Sequence, residues 1–184
     1  SELRVNTNTS GTQNAPRMTA LSDGGYFVTW QDTSGIDGSG HSVHGQRFDA
    51  SGNAVGGNIL LNSVTSGNQA APEIATLKDG RIVATWYSAN LAGGSSNDIA
   101  VRVFDATGTA ISSDIRVNTT VAGSQINPTI TETSDGGFVV VWQSPLNNYY
   151  ELLGQRFDNN GTAIGSEFNI ATGTSDFVNQ HVIN

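Results

Sequence analysis

Three tryptophans set the frame of this sequence. Trp30, Trp86 and Trp142 stand 56 residues apart, twice over. Pro16, Pro72 and Pro128 keep the same interval, and so do Gln13, Gln69 and Gln125. Asp23, Asp79 and Asp135 each precede a glycine at one place in the unit. Phe48-Asp49, Phe104-Asp105 and Phe157-Asp158 follow, with three residues lost in the third copy. So many registered positions define a repeat, and a repeat limits the chain to architectures in which one supersecondary unit stacks on its own copies.

Each unit reads as four strands. The first opens at the proline, over 16–21, 72–77 and 128–133, where proline forfeits no ladder bond. An Asp-Gly turn follows, a strong hairpin signal. The second strand is a nearly unbroken apolar run, Tyr26–Trp30, Ile82–Trp86 and Phe138–Trp142, as a strand covered on both faces requires. The third spans Val43–Phe48, Ile99–Phe104 and Leu152–Phe157. An Asp-x-x-Gly turn then leads to a fourth near Ile59–Asn62, Ile115–Asn118 and Phe168–Ala171. No stretch carries the 3.6-residue period of a helix.

Four strands per unit predict an all-β fold of β-propeller-type blades. A β-trefoil, which also counts in threes, is the alternative. Two details favour blades. Glu2–Asn6 matches Asp114–Asn118, and Val178–Asn184 resembles the start of another unit, with Gln180 in the glutamine position. The whole chain, 1–184, then reads as one repeat domain. A strand at 1–6 is followed by repeat one at 13–62, repeat two at 69–118 and repeat three at 125–171, with a partial repeat at 178–184. Three blades fall short of the roughly four that close a ring. Exposed blade edges therefore predict either a longer array or a homo-oligomer.

Composition removes several functions. Lys and Arg number 8 against 16 Asp and Glu, a net charge of −8. A chain this acidic has no electrostatic footprint for nucleic acid. No apolar run approaches the ~20 residues that would predict membrane insertion. Cysteine is absent, which removes disulfides, thiolate chemistry and cysteine-held metals. No G-x-S-x-G, H-E-x-x-H or Gly-rich phosphate-loop motif is present.

The third copy carries the unit in its fullest form, Asp135-Gly-Gly-Phe-Val-Val-Val-Trp-Gln-Ser144 and then Gly154-Gln-Arg-Phe-Asp158. This pattern resembles repeats of large secreted bacterial proteins of the RTX and adhesin type, where such units occur in tandem, often beside calcium-binding nonapeptides. The resemblance covers essentially the whole chain. It implies a propeller-like array, secreted or at the cell surface, and no catalytic residue.

Residues repeated in every unit are expected to serve what every unit shares. The tryptophans read as wedges between blades. Gln46, Arg47, Gln155 and Arg156 read as structural bonds, and Asp49, Asp105 and Asp158 as turn closers. Function is then sought where the copies differ, in the loops from second to third strand. The aromatic and amide side chains Tyr87, Asn90, Asn147, Asn148, Tyr149 and Tyr150 are the candidate ligand site, with the chemistry of carbohydrate and protein recognition. Asp32 and Asp37 make a candidate calcium loop, although the dense D-x-D-x-D spacing is missing. The resulting expectation is a non-catalytic binding module, carbohydrate-binding or adhesin-like, that engages a glycan or surface protein. A self-assembling architectural unit is the alternative, and a glycosidase-type enzyme the third.

Overall fold

The computed structural model describes residues 2–91, 96–147 and 149–172. They form three separate four-stranded antiparallel sheets. Blade 1 consists of β1 (Gln13–Ala20), β2 (Tyr26–Asp32), β3 (Ser42–Phe48) and β4 (Ala54–Leu60). Blade 2 consists of β5 (Gln69–Thr76), β6 (Ile82–Ala89), β7 (Asn97–Phe104) and β8 (Ile115–Arg116). Blade 3 consists of β9 (Ile126–Glu132), β10 (Phe138–Leu146), β11 (Tyr149–Phe157) and β12 (Ala163–Thr172). Each sheet is a meander in chain order, and no ladder among them joins two blades, which excludes the trefoil. The first strands β1, β5 and β9 pack beside one another. The blades therefore fan around an axis with the first strand innermost, which is the propeller arrangement.

The tight turns are closed by the repeated aspartates. Asp49 accepts the backbone N–H groups of Ser51 and Asn53. Asp105 does the same for Thr107 and Thr109, and Asp158 for Asn160 and Thr162. These bonds favour the ionised form. The Asn53 side chain, with backbone N–H donors, lowers the Asp49 pKa, and the Thr107 hydroxyl leads in lowering that of Asp105. At Asp158 burial pushes upward, but the donors outweigh it. A carboxyl held below its unfolded value stabilises fully above that value, about pH 4, and its contribution is lost as pH falls through the folded pKa. The melting temperature is therefore expected to hold from neutral pH to about pH 5 and to fall below about pH 4. Asp105→Asn should flatten that fall in a pH series of thermal melts.

The cores lie between blades. Leu21, Phe27, Val43 and Leu61 of blade 1 meet Ile74, Ile82, Trp86 and Phe104 of blade 2. Leu77, Val83, Ile99 and Val117 of blade 2 meet Ile130, Phe138, Trp142 and Phe157 of blade 3. Each such side chain contributes about 1.5–3 kcal/mol by leaving water. Trp86 and Trp142 are the expected wedges, each packed toward the blade before its own. The Trp142 indole N–H donates to Gln125, whereas those of Trp30 and Trp86 are buried without a partner among the described residues.

The repeated asparagine and glutamine hold the connectors between blades. Asn62 accepts the Val43 N–H and donates to the Val64 carbonyl; Asn118 accepts that of Ile99 and donates to Thr120. Gln69 donates to the Ser66 carbonyl, as Gln125 does to Ala122. The amino-terminal residues copy this lock, with Asn6 donating to Asn8 and Gln13 to Ser10. Gln46 and Gln155 also take the expected structural role, each donating across the third-to-fourth strand pair to Val55 and Ile164.

Several boundaries differ from the sequence reading. The first strands of blades 1 and 2 start three residues before the proline, and that of blade 3 two before it, because each crosses a β-bulge there. Residues 2–12, which include all of the expected strand at 1–6 except residue 1, outside the described residues, run without a ladder. The partial repeat at 178–184 lies outside the described residues. In blade 3 the expected loop Gln143–Tyr150 is mostly ladder, with Pro145 paired to Tyr150 and Leu146 to Tyr149. The three residues missing from this copy shorten the loop and let both strands run on.

Candidate functional site

The β-bulges shape the axis. Ala15, Ala71 and Asn127, each the residue before the repeated proline, have φ of 49°, 53° and 51°. A left-handed residue before proline is a strained combination, on the order of 1–3 kcal/mol, and such strain concentrates where side chains must be aimed. Two residues further on, the same register holds Arg17, Glu73 and Thr129. Arg17 Nε donates to Glu73 Oε1 at 2.5 Å, from the innermost strand of blade 1 to that of blade 2. The Glu73 side chain is largely covered, at 17% exposure. Deeper along the axis the Thr19 and Thr76 hydroxyls meet at 3.0 Å.

Arg17 and Glu73 edge a cavity of about 120 Å³ between β5 and β9, with Asn127, Thr129, Trp142 and Gln143 around it. Asn127 donates to Gln143 Oε1. A second stretch of about 320 Å³ continues along the three first strands and ends at Thr131 and Glu132. Glu132 is tied to the Lys78 backbone N–H, and Lys78 Nζ reaches the Ser134 carbonyl. The axial cleft thus joins a guanidinium, two carboxylates, two amides and a row of hydroxyls. Such a set can orient hydroxyl groups and exchange a proton with them.

The candidate ligand residues are spread over blades 2 and 3. Tyr87 lies half-buried in β6 against the core between blades 2 and 3, and burial raises its pKa. Asn90 caps β6 with a φ of 64°, and its amide lies against Gly67 of the connector. Asn147 turns the β10–β11 hairpin with a φ of 56°. Tyr149 and Tyr150 belong to β11, and Tyr149 is exposed. Asn148 lies outside the described residues.

Asp32 and Asp37 do come together, on a cavity of about 300 Å³ with Trp30, His44 and Asn8. Their oxygens are engaged in closing the loop. Asp32 accepts from Ser34 N–H and Asn8, and Asp37 from Ser39 N–H and Asn62. Burial pushes the Asp32 carboxyl up, but the bonds from Ser34 and Asn8 outweigh it and leave it lowered. His44 stacks on Trp30, and burial lowers its pKa against the pull of both aspartates. Among the described residues, no group of three or more His, Asp or Glu side chains is set to hold a metal ion.

The axial residues escaped the sequence reading. Their signal was present: the position after the proline changes from Arg to Glu to Thr while the proline itself repeats. Divergence was sought in loops, and here the divergent position is on a strand.

No family model matches the chain, and no curated protein matches it in sequence. Solved structures do match its fold. A protein of unknown function from Dyadobacter fermentans superposes with a TM-score of 0.67 at 14% identity, over 92% of this chain and 58% of that one. A xylan β-1,4-xylosidase from Bacillus halodurans gives 0.57 at 18% identity, over 93% and 34%. An endo-arabinase from Bacteroides thetaiotaomicron gives 0.53 at 14% identity, over 93% and 60%. The chain spans one third to three fifths of their lengths. The likeness corrects the expectation of a non-catalytic module, because the same blades carry glycoside hydrolases and give no ground for ruling out an enzyme.

Proposed function

We propose that the axial cleft is a carbohydrate site of the glycosidase type and that this chain supplies three of its blades. The observation that carries the reading is the Arg17–Glu73 pair, bridging two innermost strands at the mouth of a small polar cavity. Only 13% of the chain is charged, and the tight-turn end takes several of those residues. A largely covered carboxylate on an axial strand is costly for the fold alone and useful to a sugar hydroxyl or a glycosidic oxygen. Glycosidic cleavage uses a pair of carboxyl groups. Glu73 is one. Glu132 lines the same stretch of the cleft from the first strand of blade 3. The glycoside hydrolases among the similar folds support the same reading.

The test uses arabino- and xylo-oligosaccharides with the chain as it stands. Binding is followed by calorimetry and cleavage by released reducing ends. Glu73→Gln is expected to retain binding and to lose about 10²–10⁴-fold in cleavage, the span of a general acid–base group. Neither binding nor cleavage across both series would overturn the reading.

A further inference from the structure

The described residues hold two complete blade junctions and one further blade face at each end of the arc. The junctions show what each face takes. Toward the following blade, blade 1 presents Phe27, Ile59 and Leu61, and blade 2 presents Val83, Ile115 and Val117, all packed in the two cores. The same positions in blade 3 are Val139, Phe168 and Ile170. Ile170 is 48% exposed, where Leu61 and Val117 are 1% and 3%. The orientation is conserved as well. A Cβ added at Gly154 would meet Phe168 and Ile170, as one at Gly45 would meet Phe27 and Leu61. Toward the preceding blade, blades 2 and 3 present Ile74 and Ile130, both 9% exposed, whereas Met18 of blade 1 is 64% exposed.

Glycine fixes the register. Gly108 of blade 2 packs on Ile59 and Phe27 of blade 1, and Gly161 of blade 3 packs on Ile115 and Val103 of blade 2. In blade 1 that position is Gly52, where an added Cβ would come near the Tyr26 hydroxyl and nothing else.

We propose that the two end faces join in trans: blade 3 of one copy docks head to tail on blade 1 of a second copy, with Phe168 against Gly52. Each face is one half of an interface that the chain already builds twice, so the occupant that fits it is another blade of the same repeat. The place is partly filled by the chain's own beginning. Leu3 and Val5 fall at the positions of Phe168 and Ile170, and Thr7 at that of Thr172. Thr7 N–H and Oγ1 are held by Asn58 Oδ1, as Asp114 holds Ser63 and Glu167 holds Thr119. Residues 2–12 carry no ladder, whereas β12 is paired along β11. The amino-terminal strap is therefore the piece that yields, and Asn58 then takes the N–H of Thr172 from the second copy. Contacts between unlike faces can close a ring. Two copies supply six blades, within the ~4–8 of closed propellers, and set β1 of each beside β9 of the other around the axial cleft.

The experiment is sedimentation equilibrium on the full chain, with Met18→Asp and Phe168→Asp as the two face variants. Both side chains are exposed, and circular dichroism checks that the fold is kept. The wild type is expected to form a reversible dimer in the micromolar range. Each variant alone should be monomeric at the same concentrations. An equimolar mixture of the two should dimerise, because one intact junction remains. A strictly monomeric wild type overturns the proposal in favour of blades from another polypeptide. A dimer that survives either substitution, or a mixture that stays monomeric, overturns it as well.

Discussion

Replacing Trp142 by alanine is expected to cost about 3–5 kcal/mol of unfolding free energy. The side chain is fully buried between blades 2 and 3. Its removal also leaves the Gln125 carbonyl oxygen without the indole donor. The loss is a large part of the 5–15 kcal/mol that a domain has to spend. Urea titration at constant slope reads it directly. The comparison with Trp30→Ala makes the result diagnostic. Trp30 borders two open cavities beneath the amino-terminal strap and belongs to neither blade junction among the described residues. Its truncation should therefore cost clearly less. Equal losses would show that the strap packs on blade 1 as tightly as one blade packs on another.

The second large effect concerns Gly45. A Cβ there would lie 2.3 Å from the Phe27 ring and 3.3 Å from Leu61. Blade 2 resolves the same contact by the opposite choice, with Val101 and Val83 in place of Gly45 and Phe27, both fully buried. Gly45→Val should overpack blade 1 and cost about 1–3 kcal/mol or more. Phe27→Val alone leaves a void and also destabilises. The pair together reproduces the volume of blade 2. The double variant should be more stable than the two single losses added together predict, with a coupling of about 0.5–3 kcal/mol. Strict additivity in urea unfolding would mean that the two positions do not share one packing site.

Much of the fold was visible in the sequence. The second strands announce themselves because a run such as Phe138–Trp142 can only be satisfied by cover on both sides. The turns announce themselves through Asp-Gly and Asp-x-x-Gly. Three features stayed hidden. Arg17 and Glu73 are 56 residues apart, and only the side-by-side packing of β1 and β5 brings them together. The hairpin of blade 3 was masked by Pro145, which reads as a loop residue yet pairs with Tyr150. The partial cover of Tyr87 depends on its lying an even number of residues beyond Val83 and Thr85, which returns it to the face that meets the core between blades 2 and 3. In each case the deciding contact lies across blades or depends on ladder length, which local pattern does not contain.

The connector lock has a wider consequence. Each of the two connectors between blades carries both halves of its joint: the asparagine that ends one blade and the glutamine that opens the next, Asn62 with Gln69 and Asn118 with Gln125, sit seven residues apart in a single stretch of chain. A gene segment of one period therefore encodes a complete coupling as well as a complete sheet. Unequal crossing-over could add or delete such a segment without creating an unmatched joint. Blade number can then drift between related genes while the local chemistry of every junction stays the same.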